Sequence, residues 1–584
     1  MVSVKLLLSP HTTLLLKKEV KIYPRIIERI DEWPIYLLSK DRPAFVRQID
    51  IDTFKRILGR HRKDLSDMLV KTIYQERIRI KESPWKVDPP NERGFWNRIS
   101  KKLIKKSLDR DNIEAQAVNE EILQKIIHRY SEEIVGTFQI PTFRFAQSFL
   151  TAFFNRLFNA AVGKSLRAMF RGRRHLYERL NIVGDVDTIR ELFNHGTVVM
   201  LPTHSSNLDS ILVGYAMDQM MGLPSFSYGA GLNLYNFGPA AYYMNRLGAY
   251  RVDRRKKNPI YLETLKTMSR LSIQRGVNSL FFPGGTRSRS GEIESSVKLG
   301  LLGTAVEAQR SMAQENTGKK VFMVPMVICY NSVLEAPFLI EQHLKFTGKE
   351  NYIRLKDEGT SVRAWLRFIW RFFSTTSDIT LSIGKPLDVL GNFVDAQGRS
   401  FDKNQNELDI REYFISQNQV NEDRQREEEY TKILAARIEE RYLAENVVLS
   451  SHLVAYAVFE MLRHENPKLD IFGILRLPQD EYIFPRKAIK EIIEQLQTRL
   501  FLLEKQEKIR LDPEIFLDAP SILKNGIQNL GIFHTEKPLV FNKDGNIIST
   551  NFRVLYFYHN RLQHYHLDRF VQWKMEEIEV LKFD

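Results

Sequence analysis

From the first residues to about 175, apolar positions recur every three or four places between charged ones, and turn signals are confined to Pro89-Pro90 and to 136–141. That period predicts a helical region. The texture changes near 180, where short apolar, β-branched runs occupy 197–201, 279–282, 321–329 and 379–383. Helix-period segments separate them, at 258–274 and 298–309. Buried strands alternating with helices predict an α/β layer with a mixed, partly parallel sheet. Between 396 and 430 the chain turns polar and charged, which reads as a boundary or an exposed helix. Beyond that it is mainly helical, with one hairpin where Lys543-Asp544-Gly545-Asn546 joins 539–541 to 547–548. The expected division is an N-terminal helical region over 1–175, an α/β domain over 176–395 and a mainly helical C-terminal region over 396–584. No internal repeat is visible.

Composition narrows the class. The 584 residues exceed a single folding unit of roughly 150. Hydrophobic residues at 43% and charged residues at 27% are the balance of a soluble globular protein. One cysteine, Cys329, excludes an internal disulfide and a Cys-rich metal site, and fits a reducing compartment. A net charge of +15 favours a partner with negative charge: a phosphorylated ligand, an anionic membrane surface, an acidic carrier protein or a nucleic acid. No apolar run is long enough for a simple transmembrane helix. Lys5 and Pro10 interrupt the short apolar runs at the start, with no small-residue cleavage site after them, so no signal peptide is expected.

Four segments carry candidate chemistry. In the first, a strand ends at Pro202, small polar residues turn the chain, and an apolar helix opens near Asp209. The spacing places the His204 imidazole on the turn and the Asp209 carboxylate in the first helical turns. A carboxylate on one ring nitrogen fixes the tautomer and leaves the other nitrogen to take a proton. The same residues also read as a plain helix cap beside a polar turn. In the second, Arg251, Arg254, Arg255, Lys256 and Lys257 follow the Gly248 turn, as phosphate-binding cations or as a solvated basic loop. In the third, a strand runs into Pro283-Gly284-Gly285 and then Thr286-Arg287-Ser288-Arg289. Glycines there let the backbone approach a ligand and Arg287 suits a phosphate, with Lys298 and Gly300 opening the next helix. It is neither a P-loop nor a dinucleotide fingerprint. The fourth is a strand carrying Pro325, which implies an edge, a bulge or a strand end near a site. Cys329 on it reads as a buried filler. Neither a Gly-x-Ser-x-Gly elbow nor a His-Glu-x-x-His metal motif occurs.

In this order and spacing the segments resemble the four blocks of the glycerolipid acyltransferase superfamily: H-x-x-x-x-D, G-x-x-[FY]-x-x-R, F-[PV]-E-G-x-[RS]-x and a proline-bearing strand. Here they read His204 to Asp209, Gly248 to Arg254, Phe282 to Ser288, and Val324-Pro325. The likeness is closer to the large glycerol-3-phosphate and dihydroxyacetone phosphate acyltransferases, through GAGLNLYNFGPAAYYMNRLGAYRVDR, GGTRSRSG with KLGLLGTAVEA, and the tail segments YHNRLQH and VVLSSHLVAYAVF. It covers about 180–335 and, more weakly, the tail.

The resemblance implies an α/β acyltransferase core and acyl transfer to the sn-1 hydroxyl of glycerol 3-phosphate, in phospholipid synthesis. The acyl thioester, on coenzyme A or acyl carrier protein, would be a co-substrate; no metal and no further cofactor are implied. His204 would be the general base and Asp209 its orienting partner. Arg254, Arg287 and Lys298 would hold the phosphate, while Gly248, Gly284, Gly285, Thr286, Ser288 and Pro325 would shape the loops. Backbone N–H groups near Ser205 or Gly285 would meet the developing oxyanion. One departure stands out: Gly284 replaces the family's Glu, which helps to position the acceptor, and neither Glu292 nor Glu294 is at the matching position.

Lipid chemistry implies peripheral contact with an anionic membrane at the cytoplasmic face. Two segments suit it: 361–376, with Arg363, Arg367 and Arg371 in one stripe beside Trp365 and Trp370, and 144–175 with its basic end. Both also read as ordinary core helices. The competing readings are lysophosphatidate or dihydroxyacetone phosphate acylation, and a non-catalytic membrane-associated scaffold with the same fold. No nucleic-acid motif is visible, and no nucleic-acid partner is expected.

Overall fold

The protein is described by a computed structural model covering residues 21–107, 112–162, 180–232, 235, 238–348, 379–532, 534 and 536–573. Its centre is a seven-stranded sheet of β1 (Leu180–Val183), β2 (Gly196–Pro202), β3 (Ser227–Gly231), β4 (Ala249–Val252), β5 (Ser279–Leu280), β6 (Lys320–Tyr330) and β7 (Ile379–Ile383). In space the order is β1-β7-β6-β2-β5-β3-β4. Only the β6–β7 pair is antiparallel. The sheet is therefore mixed and mostly parallel, as the alternation of apolar runs and helices predicts.

The strand runs expected at 197–201, 279–282, 321–329 and 379–383 fall on β2, β5, β6 and β7. The sequence reading missed β1, β3 and β4. The reason is legible in β3, whose residues Ser227 to Gly231 include two glycines and depend on pairing with β4 and β5 rather than on β propensity.

Helices enclose the sheet. On the N-terminal side lie α1 (Pro34–Lys40), α2 (Arg42–His61), α3 (Leu65–Glu82), α4 (Glu92–Ser107), α5 (Asn112–Ile134) and α6 (Ile140–Val162). Between the strands come α7 (Val186–His195), α8 (Asp209–Gln219), α9 (Gly238–Met244), α10 (Pro259–Gln274), α11 (Leu299–Gln314) and α12 (Ala336–Thr347). The long C-terminal helices are α13 (Arg424–Glu445), α14 (Ser450–Glu465), α15 (Arg486–Lys505), α16 (Ala519–Asn529) and α17 (Phe552–His559). The helix expected over 258–274 starts one residue later, because the Asn258 side chain caps it by accepting from the Tyr261 N–H.

The first 140 residues are placed by their apolar faces. Phe45, Trp96, Ile126 and Tyr130 pack with Tyr250, Tyr261 and Leu265 of β4 and α10 in one cluster. Gly248 belongs to this junction. Its φ is +86°, and a Cβ there would stand 2.1 Å from Ile35 Cδ1. The C-terminal helices share the sheet's main cluster, where Val454, Phe459 and Leu555 meet Met326, Ile328 and Leu381.

Of residues 396–430, expected as a boundary or an exposed helix, those up to 420 form two-residue ribbons and tight turns, while 424–430 open α13 with mostly exposed side chains. Asp395 and Asp402 each fold a turn by accepting two backbone N–H groups. Phe414 within the segment is fully buried. The hairpin at 539–549 forms as expected, with Phe541 opposite Ile547 and Gly545 at φ +82°.

Candidate functional site

β6, β2, β5, β3 and β4 run parallel, so the loops leaving their C-terminal ends share one edge of the sheet, where open α/β sheets bind ligands. The residues singled out in the sequence follow those ends. His204 comes after β2, Arg287 after β5 and Arg254 after β4. Distance along the chain is cancelled by strand order.

The dyad is built as its spacing suggested. His204 Nδ1 lies 2.8 Å from Asp209 Oδ2. With the carboxylate ionised, Nδ1 donates and Nε2 is left to accept a proton. The His204 side chain is 18% exposed and Asp209 fully buried, so the base is reachable and its partner is not. Asp209 Oδ2 also accepts from the Ser205 N–H at 2.7 Å and the Ser206 N–H at 2.8 Å. Capping and orienting, which the sequence left as alternatives, are therefore one arrangement. The His204 ring stacks on Phe282, centroids 4.3 Å apart, which ties the β2 turn to the β5 loop.

Two partners were not foreseen. The Tyr330 hydroxyl, at the end of β6, donates to Asp209 Oδ1 at 2.5 Å. Burial first, and then the Asp209 charge, hold this phenol far above its ordinary pKa, so it remains a donor. Glu335, just before α12, accepts from Ser206 Oγ and from the Asn207 N–H, each at 3.0 Å, and from Arg287 at 3.3 Å. Tyr330 closes the proline-bearing strand that the sequence reading had marked, which was the available signal. Glu335 had none, because no spacing rule links it to His204.

The cations divide sharply. Arg255 is held by Asp253 and Asp88 and lies 4.0 Å over the Trp85 ring. Lys256 is buried with its Nζ 2.7 and 2.6 Å from the two Glu133 oxygens. Arg251 bonds Asn245 Oδ1. These three serve the N-terminal junction and their own loop. Arg254 differs. Burial and then the neighbouring Arg287 charge lower its pKa, so the two guanidinium groups repel each other, and of the two Arg287 has a carboxylate partner, Glu335. Among the described residues no carboxylate pairs with Arg254 or Lys298. Lys298 lies over Gly285, where a Cβ would meet its Nζ at 2.7 Å. Such a group of cations is chemically suited to an anion.

Adjacent glycines in the β5 loop answer different needs. Gly285 has φ +76° and supplies a left-handed turn, whereas Gly284 has an ordinary φ and supplies space. Thr286 is exposed. The Ser288 N–H donates to the His204 carbonyl at 2.8 Å, and its hydroxyl to the Glu292 carbonyl at 2.9 Å.

One expectation changes, and one is narrowed to a single alternative. The Ser205 N–H is taken by Asp209 and the Gly285 N–H by the Phe282 carbonyl at 3.0 Å, so neither is free for an oxyanion. Pro325 sits in a central strand rather than at an edge. It is accommodated by a bulge opposite: from the Met323–Leu387 bridge to the Met326–Ile383 pair the partner strand has one extra residue. Pro325 pairs with Leu201 on its other side, three residues before His204.

The tail segments buttress this edge. Asn560 Nδ2 donates to the Ser290 carbonyl at 2.9 Å, and Arg561 to the Ile328 carbonyl at 3.0 Å. His452 Nε2 lies 3.1 Å from the Tyr330 carbonyl. Burial lowers the His452 pKa to about 3, with Arg561 adding to the effect, so the ring is neutral and donates that bond.

Comparison with known proteins agrees with the geometry. Residues 182–329 match the acyltransferase family model, a span that contains the dyad, Arg254, Arg287, Lys298 and Pro325. The chain is 28% identical over 245 residues to a glycerol-3-phosphate acyltransferase of Aeromonas hydrophila, covering 41% of this chain and 27% of that protein. It is 24% identical over 263 residues to one from Shewanella loihica, covering 45% and 29%. The match thus spans less than a third of the length of these relatives. Residues 182–329 form an acyltransferase domain, and over that region the chain is similar to glycerol-3-phosphate acyltransferases.

Proposed function

We propose that the protein is a glycerol-3-phosphate O-acyltransferase that moves a fatty acyl group from a thioester to the sn-1 hydroxyl in phospholipid synthesis. The observation that carries the reading is the pairing of a reachable, carboxylate-oriented imidazole with two neighbouring guanidinium groups at the same edge of the sheet. The phosphate of the acceptor would sit between Arg254 and Arg287, with Lys298 alongside. Its hydroxyl would then be presented to His204 Nε2. As Nε2 takes the proton, the hydroxyl oxygen attacks the thioester carbonyl carbon. Collapse of the tetrahedral species breaks the C–S bond, and the imidazolium returns the proton to the departing thiolate. The imidazolium formed on the way is stabilised by Asp209, whose position Tyr330 and two backbone N–H groups hold fixed.

Acyl chains and product imply a membrane surface, and we place contact at the cytoplasmic face. No helix among the described residues is long and apolar enough to cross a membrane. The described part of α6 offers a face for peripheral contact: Phe145 and Phe149 are 56% and 54% exposed. Phe145 also stacks on Tyr243 at 6.0 Å. The Arg-striped candidate at 361–376 and the basic end at 163–175 lie outside the described residues. Co-sedimentation with anionic vesicles that weakens as salt rises would support this surface; binding unchanged by salt would count against its electrostatic part.

The test of function is an acceptor-by-donor panel. Glycerol 3-phosphate, dihydroxyacetone phosphate and lysophosphatidate are each offered with acyl-CoA and acyl-acyl carrier protein, for the wild type and His204→Ala. Glycerol 3-phosphate should be preferred, and His204→Ala should lose at least about 100-fold in rate. Equal rates in wild type and variant would remove the mechanism and leave the scaffold reading.

A further inference from the structure

Gly284 poses a question of space. A Cβ at that position would stand 2.6 Å from Glu294 Cδ, with the two carboxylate oxygens at 2.7 and 2.9 Å. No side chain larger than hydrogen fits while Glu294 stays where it is. The glycine therefore leaves room for a carboxylate arriving from farther along the loop. That carboxylate is aimed at the base: Glu294 Oε1 accepts the His204 backbone N–H at 2.7 Å. The His204 carbonyl is meanwhile held by the Ser288 N–H at 2.8 Å. Both backbone polar groups of His204 are thus bound by the loop that carries Arg287, while its ring is bound by Asp209.

We propose that Glu294 is a positioning residue for His204, clamping the backbone of the base to the phosphate-binding loop and occupying the space that Gly284 leaves open. The sequence reading had set Glu294 aside because it is not at the family's Glu position. Folding of the 284–294 loop brings its carboxylate there. The clamp also couples two functions. Movement of the β5 loop, as Arg287 takes up an anion, would be transmitted to His204 through the Glu294 and Ser288 bonds. Burial pushes the Glu294 carboxyl up to about 7, against the His204 and Gly284 amides, which pull it down. Its Oε2 is buried with no hydrogen-bond partner, which a side chain selected only for packing would avoid.

The proposal takes the acyl transfer proposed above as the reaction, and its test separates the two. Glu294→Gln keeps an oxygen for the His204 N–H, whereas Glu294→Met keeps the volume and loses the acceptor. Gly284→Ala drives the carboxylate away from outside. Steady-state kinetics on the full chain, with glycerol 3-phosphate and acyl-CoA, should show Glu294→Met and Gly284→Ala losing about 10- to 100-fold in kcat. Their KM for the acceptor should stay within about threefold, and Glu294→Gln should stay within about threefold of wild type throughout. A Glu294→Met enzyme as fast as wild type, or a Glu294→Gln enzyme as slow as Glu294→Met, would overturn the clamp. A second readout needs no acyl transfer: the rate of His204 modification by diethyl pyrocarbonate, with His204→Ala as the blank. The clamp predicts severalfold faster labelling in Glu294→Met and Gly284→Ala than in Glu294→Gln, and equal labelling in all three would refute it. A wild type without acyl transfer but with this labelling pattern would reject the functional reading and keep the clamp.

Discussion

The Tyr330 hydroxyl donates a 2.5 Å hydrogen bond to Asp209 Oδ1, joining the end of β6 to the first turn of α8. Asp209 is thereby held on both oxygens, one by Tyr330 and the other by His204 and two amides. Nothing in that arrangement lets the carboxylate rotate away from the imidazole. Tyr330→Phe removes one donor to a buried charge and should cost about 1.5–3 kcal/mol of stability. We expect a fall in kcat of roughly tenfold with it, since the remaining bonds preserve the tautomer. Asp209→Asn is the harsher change, because an amide nitrogen would face one of these donors, and kcat should fall by about 100-fold or more. Urea titration beside steady-state assays checks both.

Arg254 and Arg287 should separate binding from chemistry. On the proposed function each would supply a charge-assisted contact to the acceptor's phosphate, worth about 1.5–3 kcal/mol. Replacement of either by Ala should raise KM for a phosphorylated acceptor about 10- to 100-fold while changing kcat less. Glu335→Gln should act in the opposite direction, since it removes the one carboxylate that pairs with Arg287 among the described residues. Its KM should be lower than wild type, most clearly at low salt. A KM unmoved by Arg254→Ala would show that the phosphate sits elsewhere.

Lys256 stands two residues from Arg254 and should behave in the contrary way. Its buried ion pair with Glu133 fixes the N-terminal helices to the β4 loop. Lys256→Met leaves an uncompensated carboxylate and should cost about 3–5 kcal/mol. Arg254→Ala should change stability by no more than about 0.5 kcal/mol. Thermal melts of the two variants side by side make the comparison.

Stability should carry the signature of Glu294. Its carboxyl titrates near 7 in the folded protein against 4.5 in the unfolded chain, so the folded state holds the extra proton between these values. Stability attributable to this group therefore falls as pH rises from about 4.5 to 7, by roughly 3 kcal/mol in all. The groups that face it are Asp209, which favours the proton, Arg561, which opposes it, and the His204 and Gly284 amides. His452 and His534, held neutral with pKa values lowered to about 3 and 4, work in the other direction, adding stability as pH rises toward 6.5. Comparison with Glu294→Gln isolates the effect. The melting temperature of the variant should gain on wild type between pH 5 and pH 8, and a constant difference would show that the carboxyl titrates normally.

The sequence by itself determined the elements whose signals are local. Strand β2, the turn after it and the opening of α8 follow from an apolar run, small polar residues and a second apolar run, and they suffice to bring His204 to Asp209. The resemblance to a family rested on those local signals as well. Only the tertiary structure decided which cations face an anion. Arg251, Arg254, Arg255 and Lys256 are near neighbours in sequence, yet Arg255 and Lys256 are bound by carboxylates from the N-terminal helical region, which no pattern at 251–257 announces. The same holds for Tyr330, Glu335 and Glu294. Each reaches the dyad because parallel strands deliver their C-terminal ends to one edge, or because a loop folds back on itself. Hydrogen bonds act over about 3 Å in space and are indifferent to separation along the chain. A periodic pattern, by contrast, reports only what lies within a turn or two.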